Sequence, residues 1–119
     1  MIANLLGLLW FATIGSTFYA HFHLRRGATA LDGVPRNPAL VAFGRMLGDA
    51  AITLVAMILV YWLLPTVVAH LLTGLTFGAY LLHNIGQGRL GKATYDAVLL
   101  RMALDAEQYR LGQGRDRDG

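Results

Sequence analysis

Cysteine is absent from this 119-residue chain. That excludes a disulfide scaffold, thiolate zinc sites, iron–sulfur clusters and cysteine nucleophiles. Charge is scarce as well: 14% of the residues are charged, where an ordinary soluble domain carries roughly 25%. Disorder needs high charge and low hydrophobicity. Here 55% of the residues are apolar and the mean hydropathy is +0.49, so that class is excluded. Serine occurs once, as Ser16, and proline only at Pro35, Pro38 and Pro65. The length leaves room for one domain.

What the chain does have is long apolar runs, and they predict an all-α integral membrane protein. The first runs from Ile2 to Phe22, close to the ~20 residues that cross about 30 Å of hydrocarbon. No basic residue precedes it and Phe18–Tyr19–Ala20 is a poor cleavage site, so it reads as a retained span and not as a signal peptide. Residues His23 to Pro38 read as a loop containing the turn dipeptide Asp32–Gly33, then Val34–Pro35 and Asn37–Pro38. Asn37 is a suitable N-cap and Pro38 fits the first helical position, so a second span is expected over 38–64. No charged residue lies between Ala50 and Leu82. One straight helix over that run would be ~50 Å long, too long for one bilayer. Pro65, preceded by the interface-favouring pair Tyr61–Trp62, therefore reads as a tight turn into a third span over 65–84.

Beyond it, Gly86 to Gly91 reads as a helix cap and linker. Tyr95, Val98, Leu99, Met102, Ala106 and Tyr109 then recur at i, i+3, i+4 spacing. This predicts a separate amphipathic surface helix over 92–111, followed by a mobile tail over 112–119. Residues 1–111 thus form one three-span domain.

The net charge of +3 does not indicate nucleic acid. Residues 92–119 hold five basic and five acidic side chains. The excess comes from Arg25, Arg26, Arg36, Arg45 and Arg89 at the ends of apolar runs. All ten Lys and Arg lie in the first connection with the start of the second helix, or after the third span. The positive-inside rule then places the N-terminus outside and the C-terminus inside a bacterial inner membrane.

Candidate functional residues are few. Thr13, Ser16 and Thr17 are expected to bond to backbone or across a helix contact, and no catalytic constellation is visible. Histidine inside a membrane is a candidate for haem ligation or proton relay. That selects His21, His70 and His83, with haem b or quinone as the cofactor in question, although none is expected. His70 and His83 cannot grip one iron from one helix, since they lie about 140° apart around it. Arg45 and Asp49 stand at i, i+4 spacing and are expected to pair near the membrane edge. Gly44 with Gly48, and Gly74 with Gly78, form small-xxx-small pairs that favour close helix packing.

Three functions fit these observations. The first is a non-enzymatic accessory or structural subunit of a respiratory, photosynthetic or transport complex. The second is a phage or prophage holin-like pore former, a class that the short chain, three spans and charged inner tail resemble in architecture. The third is a small haem- or quinone-associated anchor. The expected partners are the lipid bilayer and other membrane subunits or copies of the chain itself, with no nucleic acid and no soluble substrate.

Overall fold

A computed structural model of the protein describes residues 1–33 and 37–118, with side chains described as far as residue 114 apart from 34–36. The expected pair Val34–Pro35 lies outside the described residues. The described chain is all helical: α1 (Ile2–Asp32), α2 (Pro38–Leu63) and α3 (Thr66–Asp118). All three are long and apolar enough to cross a membrane.

Two of the expected boundaries hold. At the start of α2 the Asn37 side chain accepts a hydrogen bond from the Leu40 N–H at 3.2 Å, and Pro38 occupies the first turn. At Pro65 the chain reverses within two residues, Leu64 being extended at φ −115° and ψ 152°. This is the conformation that the residue before proline favours.

Two others are corrected. The first helix does not end near residue 22 but continues to Asp32, so the expected loop over 23–38 shrinks to a short connection. Arginines and a glycine are compatible with a helix, and the stop comes only at Gly33. That residue takes the left-handed conformation, φ 68°, and its N–H caps the Thr29 carbonyl at 2.9 Å. The second correction concerns the C-terminal segment. There is no linker at Gly86–Gly91 and no separate amphipathic helix over 92–111. One helix of 53 residues runs from Thr66 through Gly112 and Gly114 to Asp118, including residues expected to form a tail. Glycine in a helix costs only about 1 kcal/mol relative to alanine, and two of these glycines recover that cost by packing.

Paired contacts set the topology. Leu6 lies beside Gly74, Thr13 beside Phe77, Asn84 beside Ser16 and Thr17, and Gly27 beside Thr94. Numbers rise together, so α1 and α3 run parallel. Trp10 meets Thr53, and Tyr80 meets Asp49, so α2 runs antiparallel to both. The α1–α3 contact is by far the most extensive, while α2 and α3 touch sparingly. The molecule is 81 Å long and about 20 Å across, its length matching that of α3 at 1.5 Å per residue.

The burial pattern inverts that of a soluble protein. Thr13, Ser16, Thr17, Thr73 and Asn84 are buried, whereas leucines, isoleucines and valines cover the outside. In hydrocarbon an apolar surface costs nothing, and polar side chains find their partners at helix contacts.

Candidate polar centre between the helices

The centre is built from one face of each helix. On α1, Thr13, Ser16, Thr17, Ala20 and Gly27 are buried, spaced so that small side chains follow one seam. Ser16 Oγ and Thr17 Oγ1 both donate to the Thr13 carbonyl, at 2.6 and 3.2 Å. The same hydroxyls accept from Asn84 Nδ2 on α3, at 2.9 and 3.1 Å. The helix backbone thus holds the hydroxyl protons, leaving the oxygen lone pairs for the neighbouring helix. The expectation that these hydroxyls bond to backbone or across a contact describes their geometry, and they do both.

Asp49 receives a hydrogen bond from Tyr80 OH on α3 at 2.6 Å. Among the described residues no ion pair joins Arg45 to Asp49; Arg45 is exposed. The expected i, i+4 pairing is therefore replaced by a bond from the facing helix. A phenol at this distance is a charge-assisted donor, and reaching it demands less side-chain ordering than folding a long arginine back. One turn further along α2, Thr53 Oγ1 donates to the Asp49 carbonyl at 2.6 Å and accepts from Trp10 Nε1 at 2.8 Å. These bonds tie α1 to α2 and α2 to α3 at adjacent depths.

The three histidines occupy different surroundings. His70 sits next to the Pro65 turn, where Tyr61 OH lies 2.7 Å from its Nδ1 and the rings meet edge to face. His21 lies on α1 within electrostatic range of Arg45, Asp49 and Arg25. His83 is exposed on α3. Among the described residues, no group of three or more His, Asp or Glu could hold a metal ion. His23, a fourth histidine, packs edge-on against Tyr19 and Phe22.

The expected glycine pairs face outward or make ordinary contacts. Gly44, Gly48 and Gly78 have nothing within 4 Å of where a Cβ would stand, and Gly74 would meet only Leu6 Cδ2 at 3.7 Å. The glycines that bring helices together are Gly27, Gly88 and Gly91. A Cβ on Gly91 would lie 2.5 Å from the His23 carbonyl carbon, and one on Gly27 would lie 2.9 Å from the Gly91 carbonyl oxygen. A Cβ on Gly88 would collide with the Tyr19 ring. Immediately beyond, the Arg26 guanidinium stacks 3.8 Å above the Tyr95 ring. Asn84, Gly88 and Gly91 fall at steps of four and three, as a helix seam requires.

Between the Tyr61–His70 and Asp49–Tyr80 bridges, α2 and α3 leave an apolar crevice of about 230 Å³ lined by Ile52, Met57, Val60, Leu72, Thr73 and Phe77 among others. Its position explains why these two helices touch so little: the polar bridges hold them at the ends, and no small-residue seam draws them together between.

The fold and this polar centre define a three-helix protein of membrane type, with its bonding groups inside and its apolar groups outside. No family model, curated protein or solved structure matches the chain.

Proposed function

We propose that this chain is a non-enzymatic accessory or structural subunit of a larger assembly in the bacterial inner membrane. Its N-terminus lies outside, and its C-terminal stalk projects inside. The observation that carries the reading is α2. Ala42 is its only buried residue, while Gly44 and Gly48 stand open on a helix exposing Ile52, Val55, Ile58 and Leu59. A helix so little used by its own chain offers a surface on which another transmembrane helix can pack closely. Most polar groups inside are occupied with one another, His23 Nδ1 and Thr29 Oγ1 excepted, which suits a scaffold better than a reaction centre.

Purification in mild detergent tests this reading. The wild-type chain is expected to bring membrane subunits with it, and Gly48→Leu is expected to lose them while remaining folded, because the side chain blocks backbone approach. Undiminished recovery of those subunits with the variant would remove α2 as the docking face. The orientation is tested separately. A reporter active only outside the inner membrane, fused after Gly119, should stay silent, since all ten basic residues lie on the opposite side of the spans from the Pro65 turn. A strong signal would reverse the topology.

A further inference from the structure

The α1–α3 seam ends with Gly27 against Thr94 and Arg26 over Tyr95. Asp32 closes α1 five residues beyond Gly27, so α3 continues alone for roughly 30 Å. This part of α3 is collinear with its membrane span and cannot lie along a bilayer surface. Yet it exposes leucines. Leu90, Leu100, Leu104 and Leu111 are 58%, 62%, 56% and 59% exposed, and Ala93 and Ala97 are exposed beside them.

These residues form a heptad pattern. Leu90, Ala97, Leu104 and Leu111 recur every seven positions, and Ala93, Leu100 and Glu107 recur three after each of the first three. In coiled-coil terms these are the a and d positions. The stripe lies about 200° around the helix from the face that meets α1, since Leu90 and Ala97 each follow a seam position, Gly88 or Tyr95, by two residues. A second helix can therefore pack on it without displacing α1.

We propose that this stripe is the seam of a parallel two-stranded coiled coil between two copies of the chain. Two copies inserted in one membrane with the same orientation necessarily present their stalks in parallel. Charge favours a copy of the chain itself, because residues 92–119 carry five basic and five acidic side chains and do not repel their like. In a parallel pair the residue before an a position faces the partner's residue five positions on. This places Asp96 opposite Arg101 of the second copy, an attractive contact made twice by symmetry. Two heptads on, it sets Arg110, whose charge Glu107 of its own chain offsets, against another arginine at position 115. Glu107 is the one charged residue at a d position. Arg110 of the same chain holds its carboxylate at 2.6 Å, and a single polar residue at such a position sets register at a cost in stability.

The absence of cysteine makes the test free of background. Single substitutions Leu104→Cys and Met102→Cys are made in the full chain, and membranes containing each are treated with a mild oxidant. Disulfides form only where Cα atoms come within about 7 Å. Leu104→Cys should give a band at twice the 13.0 kDa of the chain, and Met102→Cys, on the opposite face, should remain monomeric. Glu107→Leu added to Leu104→Cys should increase the dimer band. A dimer from Met102→Cys but not Leu104→Cys overturns the proposal. So does the absence of dimer from both, or an adduct of Leu104→Cys with a different protein. That last result leaves the accessory-subunit reading standing, and loss of co-purified subunits in Gly48→Leu leaves the coiled coil standing.

Discussion

Gly91→Leu is expected to separate α1 from α3 and lose the folded state in mild detergent. A Cβ at residue 91 meets the backbone of α1 on three atoms: the His23 carbonyl carbon and the Leu24 nitrogen at 2.5 Å, and the His23 carbonyl oxygen at 2.6 Å. Backbone cannot rotate aside as a side chain can, so the helices must move apart along the seam that supplies most of the tertiary contact. Overpacking of this kind costs on the order of 3 kcal/mol, a large share of the stability of a small domain. Gly88→Ala should be milder, since Tyr19 can turn its ring. Gly86→Ala, at a site with open space around it, should gain up to about 1 kcal/mol from helix propensity. Thermal unfolding followed by circular dichroism in detergent ranks the three. An unfolding temperature for Gly91→Leu equal to that of wild type would mean that α1 and α3 do not approach this closely.

Tyr80→Phe is the second change with a large expected effect. It removes the only hydroxyl that donates to Asp49 Oδ2 among the described residues and leaves that half-buried oxygen without its donor. Hydrogen bonds to charged groups contribute about 1.5–3 kcal/mol, and removing one partner leaves the other unsatisfied at the helix contact. Tyr80→Phe should therefore lower the unfolding temperature more than Trp10→Phe, which breaks a neutral bond to Thr53; such neutral interhelical bonds average about 0.6 kcal/mol in a membrane protein. Pairing Tyr80→Phe with Asp49→Leu should restore much of the loss, because it removes the unsatisfied acceptor together with its donor. A double variant as unstable as the sum of its parts would show that the two side chains do not act as a pair.

Much of this architecture is legible in the residues. The count of apolar spans, the Asn37–Pro38 start and the reversal at Pro65 each follow from local chemistry: run length, a capping side chain and a missing backbone donor. The actual end of α1 is also visible, in Asp32–Gly33, but the polar His23 and the charges of Arg25 and Arg26 invite an earlier stop. Charge marks where a helix leaves hydrocarbon and not where it ceases to be helical. The same confusion turns Gly86–Gly91 into a linker. Taken alone, three glycines in six residues weaken a helix, and nothing local indicates that α1 lies alongside to occupy the space they leave.

Composition and near neighbours along the chain dictate the helical class, the three long apolar runs, and the turn and caps between them. The tertiary structure alone decided which small residues bring helices together and which polar groups find each other. Gly27, Gly88 and Gly91 carry the close contact, while Gly44, Gly48 and Gly78 stay open. Tyr80, and not Arg45, holds Asp49, and Asn84 joins Ser16 and Thr17 from another helix. The reason is geometric. Spacing along one helix says which residues share a face, but the partner of that face depends on the axial register of a second helix. That register is fixed by contacts between residues from about thirty to nearly seventy positions apart, which no local pattern contains.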